Sequence, residues 1–516
     1  MGGTRLSKGR RVRLASEGRL PLPRMVQAFA NDVSNSAAER LFDELQQLRS
    51  EVGAEADSQL EQWLPSIRRE SFLPSAANLA AYMALRRRDL RSLQLSLMPL
   101  GLSSLGRCES RVRESLDAVV AALAAIVGDE SARSQQSTSA FFEGSRLLER
   151  ETEAVFGVTP ASRQVRIMVT LDASTGRDGA AVEALVRAGM DVARINSAHG
   201  KPDDWRALAA NVRTAAAEAD RLCRVSFDLT GPRARTGRTV GATDKLKVGD
   251  RFWLLADAAE AVGPEPAAQC SLPELLDQLE PGTNVWVDEG SLGAAVVEQA
   301  PDGALLEVMR APPKGVRLRA DKALNTPELD LDLDPLTAKD LADLDVAVEV
   351  ADILGYSFVQ RPSDLVRLQD ELAARGRPEL PLIAKIETRA AVERLPELIV
   401  QAAGAQPLAV MIARGDLAVE IGYGRLAEMQ EELLWLCEAA HVPVVWATQV
   451  LDSYVHTGKH ARGELTDAAM AERAECVMLN KGPFVIEAVR LLDDLLARME
   501  GHQVKKTSRL RALRSW

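Results

Sequence analysis

Apolar residues in the first third of the chain recur with a helical period. Four of them fall at positions i, i+3, i+4 and i+7, which places their side chains on one face of a helix. These residues are Leu116, Val119, Val120 and Leu123. Because strand-like alternation is missing between about residues 36 and 150, the pattern predicts an all-helical N-terminal domain over residues 26–160. Residues 1–25, which are rich in arginine, are expected to form a basic, flexible arm before it.

The pattern changes at residue 163, where short apolar runs begin to alternate with helix-like stretches. Most runs are rich in β-branched residues and continuously apolar, as expected for strands of a parallel sheet that is buried on both faces. The eight runs are Val165–Leu171, Met190–Asn196, Arg224–Leu229, Ala351–Phe358, Pro381–Glu387, Leu408–Ala413, Val442–Thr448 and Glu475–Asn480. Eight strand–helix units predict an α/β fold, a (β/α)8 TIM barrel.

One connection, between the third and fourth runs, is too long for a single helix. Residues 238–321 within it have a strand texture of their own, which predicts a small inserted β domain after strand three. The barrel is therefore expected over residues 161–237 and 322–500. Thr337 and Asp340 have the spacing of a capping box and are expected to open the first helix after the insertion.

Composition limits the classes of function. Lys and Arg total 63 against 74 Asp and Glu, a formal net charge of −11, whereas nucleic-acid binding requires a basic face. The five cysteines lie far apart without a CxxC pair, which is typical of reduced thiols in a cytosolic protein. The longest apolar run of the N-terminal part, Val119–Val127, is too short to span a bilayer. These features predict a cytoplasmic protein that binds neither nucleic acid nor membrane.

Charged and hydroxyl side chains stand where five of the apolar runs end. The active site of a (β/α)8 barrel lies at the C-terminal ends of its strands, so these side chains are predicted to share one site. Taken singly, each has an ordinary interpretation as a solvated, capping or turn residue, but their coincidence at five strand ends favours a functional one. In chain order they are Arg194, Asn196, His199, Asp228, Arg233, Arg235, Lys385, Glu387, Arg414, Asp416, Thr448 and Gln449.

The residue types indicate phosphoryl chemistry around a metal ion. Lys385 and Glu387 are two residues apart and therefore share one face of their strand. Glu387 and Asp416, at the ends of neighbouring strands, can hold Mg²⁺, which prefers oxygen ligands. Arg194, Arg235 and Lys385 would gather phosphate oxygens around that ion and stabilise the charge that develops in phosphoryl transfer.

Sequence motifs at these positions resemble those of the pyruvate kinase family. The resemblance covers about residues 165–495, and a domain inserted after strand three is also that family's architecture. VDEG at 287–290 and KALNTP at 322–327 are similar to the closing segments of the family's inserted domain. The five strand motifs are GMDVARINSAHG from residue 189, FDLTGPRARTG from 227, LIAKIET from 382, MIARGDLAVEI from 411 and WATQVLDS from 446.

The resemblance implies a Mg²⁺- or Mn²⁺-dependent phosphotransferase that converts phosphoenolpyruvate and ADP to pyruvate and ATP. It implies that Lys385 stabilises the transferred phosphoryl group and the pyruvate enolate, with Arg194 and Thr448 as further catalytic residues. It also implies that Glu387 and Asp416 bind the metal. Phosphoenolpyruvate is expected to be held by Arg194, Gly415, Asp416 and Thr448. The nucleotide is expected to face Asn196, His199, Arg235 and Lys322.

Three loops depart from the family pattern. The usual Thr-x-Gly-Pro after strand one is here Thr-Leu-Asp-Ala at 170–173. Ala323 replaces a Gly in the segment that closes the inserted domain. The usual Ser-Gly-Glu-Thr loop after strand eight is replaced by Asn-Lys-Gly-Pro at 480–483. The charged residues of the proposed site are all present, so the resemblance still implies an active enzyme.

The resemblance also bears on a monovalent cation. Most members need K⁺, and the corresponding region here comprises Asn196, position 198, Asp228 and the backbone of Leu229. Ala198 stands where a serine ligand is expected, and Arg233 stands where K⁺-dependent members carry Glu and K⁺-independent members carry Lys. A permanently charged guanidinium beside Asp228 would supply the missing charge, so we expect that K⁺ is not required.

Two other functions are compatible with the residues. A Mg²⁺-dependent lyase or aldolase could stabilise a pyruvate enolate with a similar metal and arginine, and a non-catalytic relative could bind a partner through the helical domain. The inserted domain and Arg235 favour the kinase, because a lyase needs no lid over a nucleotide. A basic tail at 501–516 stands where typical members continue into a regulatory domain. We therefore expect an atypical member, not activated by fructose 1,6-bisphosphate and forming a homodimer or monomer.

Overall fold

The N-terminal part of the molecule is helical, as predicted. The predicted basic arm lies outside the described part of the chain. The computed structural model describes residues 35–129, 137–241, 244–258, 264–329 and 333–509. The first helices are α1 (Asn35–Trp63), α2 (Leu73–Arg86), α3 (Arg91–Leu97), α4 (Val112–Val127), α5 (Thr138–Phe141) and α6 (Glu143–Phe156), with 3-10 turns at Leu64–Ser66, Glu70–Phe72 and Met98–Leu100.

Helix α4 buries the apolar face that its sequence period predicts. Leu116, Val119, Val120 and Leu123 are each at most 3% exposed, and the helix packs against α1 and α2. Gly128 ends the helix in the left-handed conformation, with φ of +81°, and its N–H donates to the carbonyl of Ala124. Glycine adopts this conformation without a steric cost, which makes it the common residue at a helix C-terminus.

Eight parallel strands close into the predicted barrel, and each lies within its predicted apolar run. In chain order the strands of the molecule are β1 (Arg166–Leu171), β2 (Val192–Asn196), β3 (Arg224–Asp228), β4 (Thr236–Val240), β5 (Lys245–Leu246), β6 (Arg251–Leu255), β7 (Ala267–Cys270), β8 (Asn284–Val287), β9 (Leu292–Ala300), β10 (Gly303–Arg310), β11 (Val316–Arg317), β12 (Leu324–Asn325), β13 (Ile353–Tyr356), β14 (Leu382–Ile386), β15 (Leu408–Ala413), β16 (Val444–Ala447), β17 (Cys476–Leu479), β18 (Gln503–Val504) and β19 (Thr507–Ser508). The barrel order is β1–β17–β16–β15–β14–β13–β3–β2.

Helices follow the barrel strands and cover the outside of the barrel. The predicted capping box is confirmed at the first helix after the insertion, where Thr337 Oγ1 accepts from the backbone N–H of Asp340 at 3.1 Å. The remaining helices are α7 (Ala173–Arg177), α8 (Gly179–Ala188), α9 (Pro202–Glu218), α10 (Pro273–Leu276), α11 (Ala338–Val350), α12 (Pro362–Ala374), α13 (Arg389–Glu393), α14 (Leu395–Ala403), α15 (Arg414–Ile421), α16 (Tyr423–Ala439), α17 (Asp452–Thr457), α18 (Arg462–Met470) and α19 (Val485–Glu500), with a 3-10 turn at Ala471–Arg473.

The segment between β3 and α11 forms a sheet of its own, the inserted domain. Seven strands lie in the order β12–β8–β9–β10–β6–β7–β4, and β5 pairs with β11 beside them. The two chain segments that join this sheet to the barrel run side by side. The N–H of Thr236 donates to the carbonyl of Lys322 at 2.8 Å, and Arg235 forms a bridge with Ala323. We call these paired segments, 231–236 and 321–325, the hinge.

Helix α6 closes the N-terminal end of the barrel. Val155 and Phe156 are at most 2% exposed and pack among the inward-facing side chains of the strands. Arg224 donates to the carbonyls of Ala154 and Val155 at 2.7 and 2.8 Å, and Arg166 donates to the carbonyl of Gly157 at 2.9 Å. With this end filled, the opposite end, where the strands terminate, is the open one.

A buried histidine joins the helical domain to the barrel. His441 Nε2 lies 3.0 Å from the carbonyl of Ser110, and Nδ1 lies 2.9 Å from Ser75 Oγ. Because a carbonyl only accepts, Nε2 donates and Nδ1 accepts from the hydroxyl. Burial lowers the pKa of His441 to about 4, so this neutral form persists at physiological pH. In the described part of the chain, every helix falls short of the length and apolarity that a membrane span requires.

Candidate active site

Arg194 and Asp228 form a buried ion pair at the open end of the barrel. Arg194 lies two residues before the end of β2, Asp228 ends the adjacent strand β3, and Arg194 Nε donates to Asp228 Oδ2 at 2.8 Å. Arg194 Nη1 donates to Thr170 Oγ1 at 3.0 Å, from the strand on its other side. Gly355 makes room for the carboxylate, since a Cβ there would lie 2.2 Å from Asp228 Oδ1. Packing thus fixes the guanidinium in one orientation.

The Lys385 ammonium group lies beside this pair. Its Nζ donates to Ser357 Oγ at 2.7 Å and lies 3.1 Å from Glu387 Oε1 and 3.8 Å from Asp228 Oδ2. Lys385 is 9% exposed and Glu387 is 3% exposed. Lys385 lies in β14 and Glu387 directly follows that strand. Both side chains point to the same side of the sheet, as the two-residue spacing predicts. A positive charge is therefore held by two carboxylates at the mouth of the barrel.

Asp416 lies in the first turn of α15, directly after strand β15, and its partner is Arg233. The guanidinium of Arg233 forms an ion pair and a hydrogen bond with Asp416 Oδ1. Burial raises the pKa of the Asp416 carboxyl above its ordinary value, Arg233 opposes that shift, and the nearby charge of Glu387 adds to it. Two carboxylates of the predicted metal site are therefore electrostatically coupled.

Thr448 reaches the same end of the barrel from β16. Its hydroxyl accepts a hydrogen bond from the N–H of Gly415 at 2.9 Å, which joins the loops after two neighbouring strands. Thr448 has a φ of +64°, an unusual conformation for a β-branched residue and one often kept at functional sites. Arg414, directly after β15, donates to the carbonyl of Thr448 at 2.7 Å and to Asp467 at 2.9 Å.

A cavity of about 250 Å³ opens between the loops after β1, β2 and β17. Arg194, Asn196 and His199 line one side of it. The loops that depart from the family pattern line the other side, through Asp172 and Lys481. The cavity is therefore next to the Arg194–Asp228 pair and has the volume for part of a substrate.

Comparison with known proteins identifies the barrel. The family described as "Pyruvate kinase, barrel domain" matches residues 162–489. The pyruvate kinase of Geobacillus stearothermophilus is 30% identical over 360 residues, which cover 68% of this chain and 57% of that protein. The pyruvate kinase of Leishmania mexicana is 31% identical over 356 residues, which cover 67% of this chain and 69% of that protein.

The chain belongs to the pyruvate kinase family. The pyruvate kinase of Mycobacterium tuberculosis is a further relative, 31% identical over 346 residues. The match to the Geobacillus protein spans less than two thirds of that relative's length. The helices before residue 157 lie outside the matched barrel, so they are an addition to the part that the family shares.

Arg235 and Lys322, predicted for the nucleotide, both lie at the hinge. Arg235 Nη1 donates to Asp321 Oδ1 at 3.0 Å, and Lys322 Nζ donates to Asp288 Oδ1 at 2.9 Å. Asn196 and His199 lie instead on the barrel, around the cavity described above. The predicted nucleotide residues are thus divided between the barrel and the hinge of the inserted domain.

The family's divalent metal is compatible with the residues at this site. Among the described residues, groups of three or more His, Cys, Asp and Glu suited to hold a metal are not found. Mg²⁺ does not require such a group, because it is commonly bound by one or two carboxylates together with water and substrate phosphate. Glu387 and the buried carboxyl of Asp416 would provide that pair. The oxygen-only donor set fits Mg²⁺ or Mn²⁺.

The structure corrects one contact expected from the sequence. Arg233 was expected beside Asp228, but its guanidinium pairs with Asp416, because the segment after β3 turns at Gly231 toward the loop after β15. Asp228 is neutralised by Arg194 and Lys385 instead. Leu229, whose backbone was assigned to the monovalent-cation region, accepts a hydrogen bond at its carbonyl from Ser357 Oγ at 2.7 Å.

Sequence reasoning overlooked two hydroxyl residues of the site, Thr170 and Ser357. Thr170 precedes the end of β1 by one residue and holds Arg194; Ser357 directly follows β13 and holds Lys385. The strand-end rule that found the charged residues could have found both. Neither carries a charge, and serine and threonine at strand ends are common in turns, so their signal was weak.

Proposed function

We propose that this protein is a pyruvate kinase that transfers the phosphoryl group of phosphoenolpyruvate to ADP, giving pyruvate and ATP. The proposal rests chiefly on the Lys385 ammonium, which Ser357, Glu387 and Asp228 hold at the open end of a barrel of this family. A fixed cation in a site of low exposure stabilises developing negative charge far better than it would in water.

In the proposed reaction, the bond between phosphorus and the enol oxygen breaks, and a bond from phosphorus to a β-phosphate oxygen of ADP forms. The enolate that remains takes a proton at carbon to become pyruvate. Lys385 would stabilise the phosphoryl oxygens and the enolate oxygen, and Arg194 would hold the substrate phosphate. Bound Mg²⁺ or Mn²⁺, held by Glu387 and Asp416, would neutralise phosphate charge.

The remaining residues of the site would bind and orient the substrates. Thr448 and Gly415, whose hydrogen bond joins the loops after two neighbouring strands, would help to hold phosphoenolpyruvate. Closure of the inserted domain would bring two cations of the hinge, Arg235 and Lys322, toward the barrel residues Asn196 and His199. It would also exclude water from the reaction.

The proposal is tested by following pyruvate release from phosphoenolpyruvate, ADP and Mg²⁺ in a coupled assay. Lys385→Met is expected to lower kcat by a factor of roughly 10²–10³ or more, because it removes a charge that acts in the transition state. Lys459→Met, at an exposed lysine, is the matched control and should behave as wild type. A wild-type protein that forms no pyruvate would favour a binding protein or a lyase, and near-normal turnover of Lys385→Met would remove Lys385 from the mechanism.

A further inference from the structure

Arg233 occupies an unusual position for a cation, because it contacts a proposed metal ligand. It lies in the hinge, between β3 and β4, and its guanidinium reaches across the mouth of the barrel to Asp416. Both side chains are largely buried, with 18% and 13% of their surface exposed. An anion at this depth is costly without a partner, so Arg233 neutralises Asp416 in the absence of metal.

Arg233 is also linked to the second proposed metal ligand. Its guanidinium carbon lies 5.6 Å from the centroid of the Phe358 ring. The backbone N–H of Phe358 donates to Glu387 Oε2 at 2.7 Å, with Phe358 in the left-handed conformation at a φ of +56°. One arginine therefore touches Asp416 directly and packs on the residue that holds Glu387.

We propose that Arg233 is an internal counter-ion that competes with the divalent metal for Asp416, so that metal binding displaces it. This inference rests on the proposed function, in which Glu387 and Asp416 hold the metal. A cation bound to Asp416 must first break the existing ion pair, which makes the metal affinity lower than the two carboxylates alone would give. Arg233 is thus a positioning residue that sets how much metal the site requires.

Displacement of Arg233 would also reach the hinge. The N–H of Arg233 donates to the carbonyl of Gly231 at 2.8 Å, and the N–H of Gly231 is held by Asp340 Oδ1 at 3.2 Å. Three residues after Arg233, Thr236 pairs with the returning segment at Lys322. Loss of the contact with Asp416 would therefore free the Arg233 side chain from the barrel, three residues before the pairing with Lys322, so metal occupancy should affect the hinge.

The test measures Mn²⁺ binding to the full-length protein without phosphoenolpyruvate or nucleotide, from the electron paramagnetic resonance signal of free Mn²⁺. Arg233→Met keeps the contact with Phe358 but removes the charge, and we expect it to bind Mn²⁺ roughly ten-fold more tightly, within the range typical of coupled binding events. Arg233→Lys should give an intermediate gain. Arg238→Met, at an exposed arginine of β4, controls for net charge and should match wild type.

Asp416→Asn separates this inference from the proposed function. If Asp416→Asn binds Mn²⁺ as wild type does, the metal site itself is misplaced. If Asp416→Asn weakens binding but neither Arg233 variant strengthens it, only the competition is refuted. Hydrogen exchange in the wild-type protein gives a measurement that needs no variant. Added Mn²⁺ should change the exchange of residues 231–236, and an unchanged rate would contradict the displacement.

Discussion

Asp416 is a residue on which charges of both signs in this site act. Arg233 contacts it, and the charges of Lys385 and Glu387 act on it. The sequence indicated its chemistry through its coincidence with Glu387 and the other polar residues at five strand ends. The sequence could not indicate its partner, since Arg233 is 183 residues away and nothing local distinguishes an arginine beside Asp228 from one beside Asp416.

Removing either proposed metal ligand should raise the Mg²⁺ requirement. We expect Glu387→Gln and Asp416→Asn each to increase the Mg²⁺ concentration for half-maximal rate at least roughly ten-fold, since even loss of an outer-shell partner of a metal costs that much. The measurement is a Mg²⁺ titration of the initial rate. Glu393→Gln, at an exposed glutamate after β14, should leave the midpoint unchanged. Equal midpoints in all variants would place the metal elsewhere.

Potassium dependence is a second property set by individual residues. We expect the activity not to rise with K⁺, because Ala198 lacks the side-chain oxygen of a ligand and Arg194 and Lys385 already neutralise Asp228. The assay compares tetramethylammonium and potassium salts at constant ionic strength. A many-fold increase with KCl would refute the prediction.

The barrel strands could be predicted from the sequence because most are continuous apolar runs, five of which end at charged or hydroxyl side chains. The inserted domain was harder. Strand β9, Leu292–Ala300, is a long element of its sheet that the pattern did not predict. Glycine and alanine dominate its first half, and the exposed residues Val297, Glu298 and Gln299 lie in its second half. Short side chains give little difference in hydrophobicity between the two faces of a strand. The position of β9 therefore depends on its pairing with the neighbouring strands β8 and β10 more than on its own sequence.

Asp340 links two elements, and its replacement should destabilise both. Its carboxylate accepts from the backbone of Thr337, at the start of α11, and from the N–H groups of Thr230 and Gly231 after β3. We expect Asp340→Ala to lower the free energy of unfolding by about 2–4 kcal/mol, from a lost helix cap and unsatisfied buried N–H groups. Asp340→Asn, which can still accept at one oxygen, should lose less. Chemical denaturation measures both, and equal losses would contradict this account.

At the scale of the molecule, the chain's last described residues connect its two largest parts. Residues 503–508, in the described part of the segment predicted as a basic tail, form the hairpin β18–β19. Between these strands, Lys505 pairs with Glu475, and Lys506 pairs with Glu109 of the helical domain. Lys506 also lies 3.8 Å from the centroid of the Trp435 ring on α16. The two ion pairs join residues 30 and 397 positions apart, so the sequence pattern predicted a charge but not its partner.

This junction should make the stability of the whole molecule depend on pH through Glu438. Burial raises the pKa of Glu438 from 4.5 to about 7, with Lys505 and Lys506 opposing the shift and Glu109 and Glu475 adding to it. The folded protein therefore binds more protons than the unfolded chain between about pH 4.5 and 7, and its free energy of unfolding should fall as the pH rises through that window.

Glu438→Gln keeps the shape of the side chain without its ionisation. It should reduce the dependence of stability on pH between about 4.5 and 7, and the variant should be more stable than wild type at pH 8, where the buried charge is otherwise present. Urea denaturation at a series of pH values provides the curves. Glu432→Gln, at an exposed position of the same helix, should reproduce the wild-type curve. A Glu438→Gln protein with unchanged pH dependence would show that this carboxyl is not the group that titrates, and Glu420 and Glu472, whose pKa values burial also raises to about 7, would then account for the slope.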